Sequence, residues 1–181
     1  MRKRLTYLFL IAGLCTDGSH YAQTYRTDQG EIRFVSSARL ENIKAESETM
    51  KGAVNFSKQT FAFSVEVNSF EGFNSALQAE HFRENYMETP VHPKATFTGK
   101  LIDPVNPDAA QQKVRAKGVL LIHGVSKDRI IDIALSKTTK GFQFTSSFHV
   151  ALNDHNIVIP KLVHQKIAET IAVTVEGKLI E

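Results

Sequence analysis

The stretch Val114-Arg115-Ala116-Lys117-Gly118-Val119-Leu120-Leu121-Ile122-His123-Gly124-Val125-Ser126-Lys127-Asp128-Arg129-Ile130-Ile131-Asp132-Ile133-Ala134-Leu135 decides the fold of this chain. Val114, Ala116, Gly118, Leu120 and Ile122 recur at every second position, set against Lys113, Arg115 and Lys117. Ile131, Ile133 and Leu135 resume the same period further on. A period of two puts alternate side chains on opposite faces of a strand, whereas an amphipathic helix needs 3.6. His123-Gly124 separates the two runs. Gly enters the left-handed backbone region without a Cβ clash, which is what a tight hairpin turn demands. The stretch therefore reads as two antiparallel strands, each with an apolar and a charged face.

The pattern continues in both directions. Thr60 to Val67 alternates with Phe61, Phe63, Val65 and Val67 on one face. Lys94 to Leu101 places Ala95, Phe97, Gly99 and Leu101 together, opposite Thr96, Thr98 and Lys100. Gly141 to Val150 places Phe142, Phe144, Phe148 and Val150 together, opposite Gln143, Thr145, Ser147 and His149. Ile171, Val173, Val175 and Leu179 line the last strand. Glu31 to Ser36, Leu40 to Ser47 and Lys51 to Phe56 are less regular strand candidates, which brings the count to eight or nine. Asp103 to Asp108 contains two prolines and reads as a surface turn. One helix is expected over Ala76 to Asn85, capped by Asn74 or Ser75, with Leu77, His81 and Phe82 as a narrow stripe and Pro90 and Pro93 ending it. An all-β chain of this kind is a sandwich or a closed barrel, and strand count alone leaves both open.

The inward positions mix large with small residues: Phe61, Phe63, Phe97, Phe142, Phe144 and Phe148 against Gly99, Ala116, Gly118, Ser146 and Gly177. An eight-stranded barrel is just wide enough to be filled by side chains or to hold one slender ligand. Spacing is compatible with a dry, interlocked core and with a channel walled by phenylalanine.

The N-terminus carries a targeting pattern. Arg2, Lys3 and Arg4 precede a short apolar run from Leu5 to Leu14, and polar residues lead to Ala22. Residues 1–22 read as a secretory signal peptide and 23–181 as one domain. Cys15 ends the apolar run, and its lipidation is an alternative reading of the same segment. Residues 1–22 contain three cations and one acid (Asp17), so the net charge of +3 falls to +1 without them. That balance gives no footprint for nucleic acid, and no apolar run after the leader is long enough for a membrane helix. With Cys15 inside the leader, the domain has no cysteine for a disulfide, a zinc site or a thiol nucleophile.

Signals for chemistry are weak. His81, His92, His123, His149, His155 and His164 show no HExxH spacing and read as solvated or turn residues. Asp103, Asp108, Asp128 and Asp132 read as turn or outward-facing residues. Ser126 sits in no nucleophile elbow, and no phosphate-binding glycine motif is present. No catalytic residue, metal site or cofactor is expected, and a hydrolase or metalloenzyme built from His and Asp is the weakest reading.

Several segments resemble one known family. Glu80-His81-Phe82-Arg83-Glu84-Asn85-Tyr86-Met87 followed by Pro93-Lys94-Ala95-Thr96-Phe97 resembles the helix, Phe, Tyr and Pro-x-x-x-Phe passage of the YceI-like family. Gly118 to Lys127 resembles its Gly-x-Leu-Thr-Ile-His-Gly-Val-Thr-Lys hairpin. Ile157-Val158-Ile159-Pro160 and Ile167 to Leu179 resemble its closing segment, so the resemblance spans about Glu31 to Leu179. It implies an all-β, antiparallel, eight-stranded lipocalin-like barrel with one short helix near the barrel end. It further implies export to the periplasm or beyond, no catalysis, and an isoprenoid or similar apolar chain as ligand. On that reading Phe61, Phe63, Phe97, Gly99, Gly118, Leu120, Ile133, Phe142, Phe144, Phe148 and Val173 line the barrel, with Leu77, Phe82 and Met87 at the helix or mouth. Many members begin the helix with Arg-Asp-x-His-Leu, where this chain has Asn74-Ser75-Ala76-Leu77, and many carry Arg-x-Asp-Phe-Gly before the last strand, where it has Ala151 to Asn156. The departures point to a divergent branch with a shorter or different apolar ligand. The competing function is a filled barrel acting through its outer surface as a partner or stress-response accessory. No oligomeric state follows from the sequence.

Overall fold

A computed structural model describes residues 24–181. The expected signal peptide and Cys15 lie outside the described residues. Eight antiparallel strands close into a barrel in sequence order: β1 (Thr24–Ser37), β2 (Asn42–Asn55), β3 (Thr60–Glu66), β4 (Lys94–Leu101), β5 (Gln111–Ile122), β6 (Val125–Thr138), β7 (Gly141–Ala151) and β8 (Thr170–Ile180). β1 closes the barrel against β8, with Ile32 opposite Val175 and Phe34 opposite Val173. Closure leaves no open sheet edge to template association.

The hairpin that decides the fold has the expected form. Ile122 pairs with Val125, and His123 and Gly124 have φ of 50° and 71°. Two successive positive φ values make a turn whose twist matches that of the strands. Along β5, Val114, Ala116, Gly118 and Leu120 are buried while Lys113, Arg115 and Lys117 are exposed.

The N-terminal region differs from the expectation of three short strands. Leu40 to Ser47 and Lys51 to Phe56 belong to one long strand, β2, paired with an equally long β1. The β1–β2 register shifts between Thr27 and Gly30 and again between Gly30 and Ile32. Each shift moves the inward phase by one residue, so Ser47 and Met50 are both buried although three positions apart. A bulge of this kind erases the period-two signal without ending the strand.

The helix is shorter than expected. Ser75 accepts the amide of Gln78 at its N-terminus, and α1 runs only over Ala76–His81. A π-helical turn follows over Phe82–Tyr86, closed by the Met87 amide on the Phe82 carbonyl at 2.9 Å. Phe82 stacks on Phe34 with centroids 5.4 Å apart, so tertiary packing of that ring holds the widened turn. No helix among the described residues is long and apolar enough to cross a membrane.

Candidate functional site

The barrel interior is not filled. Taking the end that bears α1 as the upper one, a cavity of about 540 Å³ reaches from Val114, Leu135 and Leu179 in the lower part of the barrel to that upper end. The lower end is plugged by Tyr25, Phe56 and Phe142, whose ring centroids lie 5.0–5.3 Å apart. Phe56, Val114, Leu135 and Leu179 form the cavity floor above that plug. The middle wall contains Phe61 against Phe97 at 4.8 Å and Phe63 against Phe144 at 5.6 Å. At the upper end Phe34, Phe70, Phe73 and Phe82 make a ring of aromatic contacts from 5.1 to 6.0 Å. Leu77 of α1 and Val163 and Ile167 of the β7–β8 connection complete the mouth.

Of the residues expected to line the barrel, Phe61, Phe63, Phe97, Leu120, Ile133, Phe144, Phe148 and Val173 face the cavity, as do Leu77, Phe82 and Met87 near the mouth. Gly99, Gly118 and Phe142 do not. Gly99 and Gly118 face each other across β4 and β5. A Cβ at Gly118 would lie 2.4 Å from the Thr98 carbonyl oxygen, and one at Gly99 would lie 2.2 Å from that of Lys117. These glycines let two backbones approach closely and do not open the lumen. Phe142 has the inward phase but sits below the floor, 2% exposed. Phase gives the face of a strand and not the height along the barrel.

Phe34, Phe70, Phe73, Tyr86 and Met50 line the cavity without having been singled out in the sequence. Phe34 was in phase with Ile32 on a candidate strand. Phe70 and Phe73 follow β3 in an irregular connection, where no period marks them.

The lining is mostly apolar. Its ionisable groups are Glu41, His81, Tyr86 and Lys166, all at the upper end. Burial pushes the Tyr86 hydroxyl pKa up. Ser146, deeper in the wall, donates to the Asp132 carbonyl at 2.7 Å and is satisfied within the sheet. Below the upper end, the lining offers no acid, base or paired nucleophile among the described residues. A lining of this kind favours contact with apolar surface over water.

The histidines divide in a way spacing did not show. His149 is exposed, as expected of its phase. His155 lies in a turn, as expected, but is completely buried; its Nδ1 meets the Val125 carbonyl at 3.1 Å, and its Nε2 is buried with no partner in hydrogen-bonding geometry. Burial lowers its pKa against the opposing pull of the Val125 carbonyl. Near it, at the barrel rim, Glu88, His92 and His123 converge, with their donor atoms within 4.8 Å of one another.

The sequence matches the YceI-like domain over residues 24–179. Comparison with curated protein sequences gives no significant match. Among solved structures, a polyisoprenoid-binding domain from Saccharophagus degradans, implicated in plant cell wall breakdown, superposes with a TM-score of 0.73 at 15% identity, covering 87% of this chain and 97% of that one. BcnA from Burkholderia cenocepacia gives 0.68 at 13% identity, covering 84% and 96%. The YceI protein of Campylobacter jejuni gives 0.57 at 14% identity, covering 99% and 91%. Identities this low establish a shared fold.

Proposed function

The chain belongs to the YceI-like domain family, and from that premise we propose that it is an exported carrier that holds an isoprenoid or similarly slender apolar chain in its barrel, without catalysis. The observation that carries this reading is the cavity of about 540 Å³, walled by phenylalanine and aliphatic side chains and holding no ionisable group below its mouth. Each methylene removed from water contributes about 0.8 kcal/mol, so a chain of several isoprene units offsets an association cost of roughly 4–15 kcal/mol. The polyisoprenoid-binding domain that shares the fold supports the choice of ligand class. Leu40, Leu77 and Leu162 stand in water near the mouth, 64%, 58% and 94% exposed, and give an apolar chain a path inward. Tyr86, His81 and Lys166 stand where a polar end of the guest would emerge. The leader pattern in residues 1–22 supports export.

Solvent extraction of natively purified protein, followed by mass spectrometry, tests the reading. A stoichiometric apolar chain is the expected result. Protein that carries no lipid, and takes up none when offered isoprenoids of several lengths, returns the function to the outer surface. N-terminal sequencing of exported protein should give a start near Gln23; an intact Met1 confined to the cytoplasm removes the export argument.

A further inference from the structure

We propose that Glu88, His92 and His123 form a binding site for one divalent transition-metal ion of the zinc class. Three separate features bring them together. His123 occupies the first position of the β5–β6 turn, with a backbone φ of 50°, and its ring meets Glu88 and His92. Glu88 and His92 bracket one tight turn between the π-helical segment and β4, in which the His92 amide donates to the Glu88 carbonyl at 2.9 Å. Gly124 lets the hairpin reach that turn, since a Cβ there would lie 2.6 Å from the His92 ring. The two imidazoles end with centroids 4.8 Å apart, inclined at 75°.

The hydrogen bonds of His123 point to a cation. Its Nδ1 faces the His155 carbonyl oxygen at 3.1 Å. A carbonyl only accepts, so Nδ1 carries the hydrogen. Nε2 then faces the Glu88 carboxylate at 2.8 Å. A carboxylate also only accepts, so this contact needs a second proton on the ring or a metal ion between the two groups. The arrangement has the order found around bound metals, in which a ligating imidazole is oriented by a carbonyl at its other nitrogen. No hydrogen bond among the described residues uses either ring nitrogen of His92, so that ring is free to turn one toward the ion. Two imidazoles and a carboxylate suit zinc, cobalt or nickel over magnesium, and leave a position for water. Metal–donor bonds of about 2.0–2.1 Å put tetrahedral donors roughly 3.3 Å apart. Glu88 already meets His123 at 2.8 Å, so the spread of up to 4.8 Å lies toward His92, and rotation of the His92 ring with a rotamer adjustment of Glu88, 54% exposed, would bring the three donors to that spacing. The bound ion would tie the β5–β6 hairpin to the segment that carries α1, and so fix that segment at the cavity mouth.

The test is calorimetric titration of the full exported chain, made without a polyhistidine tag, with Zn²⁺, and with Mg²⁺ as a control. Cobalt substitution reads the geometry through its visible absorption. One-to-one Zn²⁺ binding, a raised melting temperature and no response to Mg²⁺ are expected. His92→Gln and Glu88→Gln should each weaken Zn²⁺ binding at least about tenfold, while His149→Gln on the outer wall leaves it unchanged. Each variant is first checked for an unaltered metal-free melt; Glu88 is exposed, so its substitution keeps the test open even if His92→Gln misfolds. The proposal is overturned if the wild type shows no saturable Zn²⁺ binding, which leaves a protonated ion pair, or if both site variants bind as tightly as His149→Gln.

Discussion

The two ends of the barrel use the same residue type to opposite effect. At the lower end Tyr25, Phe56 and Phe142 meet within 5.3 Å, Phe142 edge to face with the other two, and Phe142 and Leu179 are each 2% exposed. At the upper end Phe34, Phe70, Phe73 and Phe82 pack on one another but line the cavity without filling it. The lower rings come from β1, β7 and the β2–β3 turn, where strands converge and side chains can cross the lumen. The upper rings come from β1, the π-helical turn and the connection between β3 and α1, which stand the aromatics along the wall. The difference teaches that an aromatic-rich interior is neither a core nor a pocket by composition. The backbone that presents each ring decides.

Substitutions at the two ends test that contrast most directly. Phe142→Ala should cost about 3–5 kcal/mol, because the plug cannot collapse around the lost ring. Phe34→Ala, on a half-buried wall ring, should cost less than half of that. Urea unfolding of both variants makes the comparison, and equal losses would break it. Filling the lumen should do the reverse of emptying the plug. Ile133→Trp projects into the cavity, so the protein should stay folded, lose no more than about 1–3 kcal/mol from overpacking, and lose whatever lipid natively purified wild type proves to carry. A stable variant retaining a full complement of lipid would show that the guest lies elsewhere.

The buried histidine beneath the rim gives a smaller effect with a defined sign. The His155 pKa is lowered by burial, with the Val125 and Ile122 backbone carbonyls and Asp154 opposing the shift and Arg129 adding to it; the His123 ring bonds its carbonyl. The unfolded chain therefore binds a proton that the folded one resists. Stability is complete above the unfolded value near 6.5 and falls as pH drops below it toward the folded value. A thermal melt series from pH 7.5 to 5 should show this decline, and His155→Gln should flatten it. An unchanged slope in the variant assigns the decline to other groups. The smallest effect belongs to the outer wall. Asp103 accepts a two-pronged hydrogen bond from Arg115, which lowers its pKa to about 2. Its contribution is present above the ordinary carboxylate range and lost as pH falls through about 2. Both groups stand in water, so Asp103→Asn should shift the melting temperature less than any change above.

The strands from Thr60 onward were legible because each carries a buried face and a wetted one, and that contrast is written residue by residue. Lys113, Arg115 and Lys117 against Val114, Ala116 and Gly118 needed no neighbour to be read. The β1–β2 hairpin was blurred, because its bulges shift the phase at Gly30 and Met50. Eight of the eleven expected wall residues could be read from phase, and Gly118 shows why the others could not. Its inward phase is real, but the Thr98 carbonyl occupies the space it faces. The rim cluster had no signal to find, since Glu88 and His123 are brought within 2.8 Å from opposite sides of β4 and β5 in the chain.

By itself, the sequence determined the strand class, the turn at His123-Gly124 and the family resemblance. Each of these rests on residues a few positions apart, whose alternation and backbone preferences act locally. Only the tertiary structure decided that β1 closes on β8, that the lower end is plugged while the upper end stays open, and that Glu88, His92 and His123 meet at the rim. Those outcomes depend on distances across the barrel, and such distances are set by the packing of every strand at once.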